Sequence, residues 1–194
     1  MAASRETEIK LPVADKGTLR RRLKALGFRV VEARRFESNR LFDFPDLRLR
    51  KNRCVLRLRF VKKACLLTFK GPPLESLRHK VRAETETVLA DGEAARGILT
   101  GLGLEQVFRY DKFRTTYARR RDVKGGHRPV VELDETPIGI YLELEGPPRW
   151  IDSVARELGY GPADYVTASY AALYFEDSRR KGKRPENMVF AAKR

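Results

Sequence analysis

Glu6-Thr7-Glu8-Ile9-Lys10 sets two carboxylates and an ammonium group at every second position. The spacing returns at Arg57 and Arg59, at Thr68 and Lys70, and at Arg82, Glu84 and Glu86. It continues at Lys112 and Arg114, at Glu132 and Asp134, and at Glu143 and Glu145. Residues two apart on a strand share a face, so each segment carries one ionised face. Clustered carboxylates without imidazole or thiolate partners suit a hard cation, Mg²⁺ or Mn²⁺. The interleaved bases suit phosphate oxygens, arginine as a bidentate fork and lysine as a point charge. A metal and bases together can neutralise a triphosphate. They can also stabilise the charge that shifts onto leaving oxygens in phosphoryl or nucleotidyl transfer. No Walker-type glycine loop is present, which excludes a P-loop mechanism at the level of motif.

Bulk composition agrees with an anionic ligand. The 194 residues carry 41 Lys and Arg against 26 Asp and Glu, a net charge of +15 with pI ≈ 10.2. Such an excess attracts anions. Nucleic acid is not expected, because no array of stacking aromatics accompanies the bases. Hydrophobic content of 42% is ordinary for a globular domain with a real core. No secretory leader and no apolar run of membrane-spanning length is visible, so a cytoplasmic protein without a membrane partner is expected. Cys54 and Cys65 lack metal spacing and read as reduced strand residues. With His79 and His127 as the only histidines, a zinc site or a histidine-centred triad has little to draw on.

The elements that must position these faces follow from periodicity and punctuation. Strands are expected at Glu6 to Leu11, Phe28 to Phe44, Cys54 to Lys62, Cys65 to Lys70, His79 to Leu89, Gln106 to Asp122, Arg128 to Asp134 and Ile140 to Glu145. Helices are expected after the caps Asp15 and Asp91, ending at Gly27 and Gly103, then from Trp150 to Leu158 and from Thr167 to Phe175. Asp46 to Asn52 reads as a short helical turn, and Gly125-Gly126 as a turn between strands. One domain is expected over residues 4–178, followed by a basic, flexible tail over residues 179–194. Arg119, Arg120 and Arg121 are expected in solvent on the long strand, and Tyr117 and Tyr170 among core or surface aromatics.

For one strand, a charged face is ordinarily the solvated one. Paired acids recurring at Glu6/Glu8, Glu84/Glu86, Glu132/Asp134 and Glu143/Glu145 would repel on an outer face unless offset. The opposite faces are apolar, for example Ile9 and Leu11, or Leu142 and Leu144, and helices can cover them from outside. The expected fold is therefore α+β: an antiparallel β-barrel of about eight strands with a charged lumen and helices packed outside. Buried charges cost unless paired with each other or with a ligand, so the lumen reads as a binding tunnel.

Glu6-Thr7-Glu8-Ile9-Lys10 resembles the ExExK signature of CYTH domains, the superfamily of class IV adenylate cyclases and thiamine triphosphatases, also called triphosphate tunnel metalloenzymes. The resemblance extends through Phe42-Asp43-Phe44-Pro45-Asp46, Leu56-Arg57-Leu58-Arg59, Leu67-Thr68-Phe69-Lys70-Gly71 and Arg82-Ala83-Glu84-Thr85-Glu86. It continues in Lys112-Phe113-Arg114, Glu132-Leu133-Asp134 and Glu143-Leu144-Glu145-Gly146, and spans Glu6 to about Phe175. It implies an eight-stranded antiparallel tunnel. It also implies that Glu6 and Glu8 hold a catalytic Mg²⁺ or Mn²⁺ near Glu132, Asp134, Glu143 and Glu145, the last two ranking first. Lys10, Arg57, Arg59, Lys70, Arg82, Lys112 and Arg114 would grip the triphosphate, with Lys10, Arg59 and Lys70 as catalytic candidates. Glu84 and Glu86 would bind a second metal or orient the bases by salt bridges.

Three functions are open to such a chain, as a monomer or homodimer acting on a triphosphate-containing small molecule. A metal-dependent triphosphatase would hydrolyse inorganic tripolyphosphate, a nucleoside triphosphate or thiamine triphosphate. A class IV adenylate cyclase would convert ATP to cyclic AMP and pyrophosphate. A non-catalytic polyphosphate- or nucleotide-binding module would gain nothing from so many carboxylates. Hydrolysis needs only the tunnel and a water, and is favoured.

Overall fold

The computed structural model describes residues 4–74, 76, 78–123 and 128–191. The expected Gly125-Gly126 turn and His127 lie outside them. Strands β1 (Ser4–Pro12), β2 (Arg29–Asp43), β3 (Val55–Val61), β4 (Ala64–Leu74), β5 (Lys80–Leu89), β6 (Glu105–Ala118), β7 (Val130–Thr136) and β8 (Gly139–Glu145) close into a barrel. Around the wall they run β1-β5-β4-β3-β2-β6-β7-β8, and β8 returns to β1. Every pairing is antiparallel. Helices α1 (Lys16–Ala25), α2 (Arg48–Lys51), α3 (Gly92–Gly101), α4 (Pro148–Glu157) and α5 (Tyr170–Arg180) lie outside the wall. The expected fold class is the observed one.

The alternating apolar residues point outward and the helices cover them. Ile9, Leu11, Val131, Leu133, Leu142 and Leu144 are fully buried under α1 (Leu19, Leu23), α4 (Ile151, Val154) and Leu158 just after it. On the far side Phe42, Leu58 and Cys65 pack against Leu99 of α3. α1 and α3 begin as the aspartates dictate: Asp15 accepts from Gly17 N and Thr18 N, and Asp91 from Glu93 N and Ala94 N.

Three elements, β4, β6 and α5, depart most from the sequence reading. β4 runs on through Gly71-Pro72-Pro73, because a register shift between Lys70 and Pro73 absorbs the prolines that would otherwise end the ladder. β6 stops at Ala118, and a 3₁₀ turn covers Arg120–Asp122. Arg119 is therefore buried rather than exposed: it ion-pairs with Asp122 (2.7 Å) and Glu157 (2.6 Å) and lies 4.3 Å over the Phe28 ring. α5 begins three residues later than expected and extends to Arg180. Val166 bridges to Lys10 of β1 and holds its neighbourhood extended until Ser169, whose Oγ accepts from Ala172 N, caps the helix.

Where a basic tail was expected, the chain returns to the barrel. β7 pairs with β6 only from Phe113 to Tyr117, which leaves the edge of β6 before Phe113 without a strand on that side. Asn187 and Met188 fill the gap. Arg109 N donates to Asn187 Oδ1 (2.7 Å), Met188 N to Arg109 O (2.9 Å) and Asp111 N to Met188 O (2.9 Å). Met188 is fully buried among Phe108, Tyr110 and Tyr170. Covering an unpaired edge satisfies its backbone groups and blocks edge-to-edge association. Met188→Ala should therefore cost about 2–5 kcal/mol in urea unfolding, whereas Met188→Leu should cost less than about 1.5 kcal/mol. Equal stability of both variants with the wild type would show that the segment is not part of the folded unit.

Candidate active site

Strand register assembles the lumen by setting acids opposite bases. Glu6 faces Arg82 and Glu8 faces Lys80 across β1 and β5. Lys10 faces Glu143, Lys70 faces Glu84, Glu37 faces Lys112 and Arg114 faces Asp134. Glu6, Arg57, Arg59, Lys70, Arg114 and Glu145 line both an inner chamber of ≈ 100 Å³ and a wider one of ≈ 760 Å³, so the two form one lumen. The start of α5 covers part of the inner end, where Ser169, Tyr170 and Ala171 border the chamber.

The expected residues do not all contribute alike. Glu6 holds Lys70 (2.6 Å), which also reaches Glu84 (3.1 Å). Glu8 holds Lys10 (3.0 Å) and Lys80 (2.6 Å), and Lys10 also contacts Glu143 (3.2 Å). Burial alone would raise the Glu8 carboxyl, but Lys10 and Lys80 hold it well below the usual range. Arg57 donates to Thr68 (3.1 Å) and pairs with Glu86 (3.5 Å) and Glu84 (3.9 Å). Arg57 Nε is buried without an acceptor. Arg59 donates to Asn39 (3.0 Å) and lies 3.6 Å from Glu37. Arg82 spends its Nε on Gly71 O (2.8 Å) and its NH2 on Arg53 O.

Asp134 is drawn into the wall, while Glu132 still lines the wider chamber. Asp134 is fully buried and accepts from Lys112 (2.9 Å), Arg114 (2.6 and 2.7 Å) and the Tyr170 hydroxyl (2.7 Å), and it lines neither chamber. Glu132 contacts Arg114, and burial pushes its carboxyl up to about 7. Glu145 differs from all the others. Its side chain makes no hydrogen bond or ion pair among the described residues. Burial and the charges of Glu132, Glu6 and Glu8 push its carboxyl up to about 8.

Among the described residues, no group of three acidic, histidine or cysteine side chains is arranged to hold a metal ion. Glu6 and Glu8 are turned onto lysines, while Glu145, opposite Glu8 in register, is pushed up more by the charges of Glu132, Glu6 and Glu8 than Lys70 pulls it down. The donor chemistry nevertheless fits a hard divalent cation, which needs carboxylate oxygens and would relieve that repulsion.

The sequence reading missed five participants. Lys80 extends the Arg82-Glu84-Glu86 alternation one step back, a signal that was present. Glu37 and Asn39 lie on β2, whose alternation is loose, and only the register with β6 and β3 reveals them. Tyr110 accepts from Arg57 (3.5 Å), and cations around it pull down a phenol that burial alone would raise. Tyr170, expected among ordinary aromatics, lines the chamber with Lys10 and Lys112 5.3 and 5.2 Å from its ring.

A family model described as "CYTH domain" matches residues 4–170, and the chain belongs to that family. It is 31% identical over 140 residues to a Methanocaldococcus jannaschii protein named "Putative adenylate cyclase MJ0240", covering 72% of this chain and 75% of that one. Among solved structures it is similar to a "putative adenylate cyclase" of Vibrio parahaemolyticus, with a TM-score of 0.73 and 20% identity over 87% of this chain and 97% of that one. It is also similar to "Putative adenylyl cyclase HpAC1" of Hippeastrum, named for "a dominant triphophatase activity" (TM-score 0.64, 20% identity, 93% and 97% covered). At these identities the two structures show the shared fold.

Glu37 gives a test of how the lumen is stabilised. Burial alone would raise its carboxyl, but Lys112, Arg114, Arg59 and Arg35 hold it at about 2. A depressed carboxylate contributes stability that is complete above its unfolded value of 4.5 and is lost as pH falls toward 2. The shift corresponds to a contribution on the order of 3 kcal/mol. Urea unfolding at several pH values should show wild-type stability falling more steeply below about pH 4.5 than that of Glu37→Gln. Parallel curves would remove Glu37 from the ion-pair frame.

Proposed function

We propose that the lumen binds a triphosphate together with a divalent metal and hydrolyses it. The observation that carries this reading is Glu145. A half-buried carboxylate beside Glu6 and Glu8, with no ion-pair partner of its own, lies in the same wall as Arg57, Arg59, Lys70 and Arg114. Glu6, Glu8 and Glu145 would hold the metal, which when bound supplies positive charge to the phosphate oxygens. The remaining residues act on the phosphate chain directly. Lys10, Arg57, Arg59, Lys70, Lys112 and Arg114 orient it in line with a water and stabilise charge passing to the departing oxygens. The water oxygen bonds the terminal phosphorus, the bridging P–O bond breaks, and the shorter phosphate chain leaves with the electron pair. The water proton passes to solvent or to orthophosphate.

Membership in the family and the activity in the Hippeastrum protein's name support hydrolysis. A second reading, ATP cyclisation, is supported by the name of the M. jannaschii relative. There the ribose 3′-hydroxyl attacks the α-phosphorus and pyrophosphate leaves. Anion-exchange analysis after incubation with tripolyphosphate or ATP and Mg²⁺ or Mn²⁺ separates the two. Chelator-sensitive orthophosphate release is expected, and cyclic AMP with stoichiometric pyrophosphate would replace hydrolysis by cyclisation.

Glu145→Gln should lower turnover by about 10²-fold or more, the scale of losing one charge-stabilising group. Because Glu145 supports no ion pair, the metal-free variant should melt at or above the wild-type temperature. Unchanged turnover would remove Glu145 from the metal set.

A further inference from the structure

The function above leaves the Phe42-to-Asp46 block unused, and also the basic run Arg48, Arg50, Lys51 and Arg53 that follows it. The structure joins the two. Asp43 is buried and accepts backbone N–H groups from Phe44 (2.8 Å), Leu49 (2.9 Å) and Arg50 (2.9 Å). One carboxylate thereby organises the whole connection from β2 to β3. The far end of that connection is tied to the lumen wall, where Arg82 donates to Arg53 O.

This connection borders a vestibule of ≈ 530 Å³. Val55, Lys80, Arg82 and Ser169 line both the vestibule and the inner chamber, so one opens into the other. Arg50, Arg53, Lys80 and Arg82 supply the vestibule's charge, and His79 sits beside them with Nε2 2.9 Å from Asp152 Oδ1. No carboxylate lines it among the described residues. Arg50 and Arg53 make no ion pair among the described residues. In the lumen, by contrast, bases face acids across the strands. A ligand leaving the chamber at this end passes from a mixed wall to a cationic one.

We propose that the vestibule is an extension site for a phosphate chain, binding phosphate groups beyond the three held in the lumen. The substrate it favours is then a linear inorganic polyphosphate rather than a triphosphate capped by an organic group. This assignment rests on the lumen holding a triphosphate. Free guanidinium groups bind added phosphate without first giving up a carboxylate. A neutral nucleoside gains no Coulomb energy there, and the cationic ring of a thiamine is repelled. Arg50 and Arg53 are exposed, so the gain is screened by salt.

Calorimetric titration with Mg²⁺ tests the assignment. The titrants are tripolyphosphate and a size-fractionated longer chain, short enough to bind one protein. At low salt the longer chain should bind the wild type about tenfold more tightly, a difference of about 1.4 kcal/mol. In the Arg50→Gln/Arg53→Gln double variant, and in the wild type at high salt, the ratio of the two affinities should approach one. A wild-type ratio near one, or a ratio unchanged in the double variant, would overturn the extension site. Failure of the wild type to bind either chain would overturn it together with the triphosphate reading. Binding of both chains with the expected ratio but without orthophosphate release would overturn hydrolysis and leave the extension site standing.

Discussion

Charge complementarity across neighbouring strands is the constraint on which this protein depends. A closed β-barrel turns one face of every strand inward, and here that face is ionised. Unpaired charges in such a space would carry a desolvation cost of several kcal/mol each. The register removes most of it by setting Glu8 against Lys80, Lys10 against Glu143, Lys70 against Glu84 and Arg114 against Asp134. A slip of one residue on any strand would turn its ionised row outward and its leucines into the lumen. Ion pairing inside and leucine packing outside therefore specify the same register.

The same constraint separates frame from site. Asp134, buried and held by Lys112, Arg114 and Tyr170, is fully satisfied and fixes two bases in place. Glu145 is the opposite case, a carboxyl left among Glu6, Glu8 and Glu132, which together with burial oppose its ionisation. Beyond the lumen the balance changes again, because Asp43 spends its charge on backbone N–H groups and leaves Arg50 and Arg53 uncompensated at the vestibule.

Much of this was legible in the chain itself. Period-two alternation at Glu6, Glu8 and Lys10, or at Arg57 and Arg59, announced inward charge because the intervening leucines and isoleucine demanded an outer cover. Helix starts at Asp15 and Asp91 followed from capping, a local effect carried by two or three residues. What failed was non-local. Arg119 reads as a surface base until Phe28, Asp122 and Glu157 surround it. The residues around Met188 read as a solvated tail until the short pairing of β7 exposes an edge that they complete.

The sequence by itself determined which side chains face inward, since alternation on a strand is set by the backbone and needs no partner. It also determined that the lumen would mix acids with bases. Only the tertiary structure decided how those groups divide among themselves. Whether a carboxylate becomes a structural partner, as Asp134 does, or remains free, as Glu145 does, depends on which strand lies beside it and in what register. Pairing energies fall steeply with distance and rise with burial, and both quantities exist only once the barrel has closed.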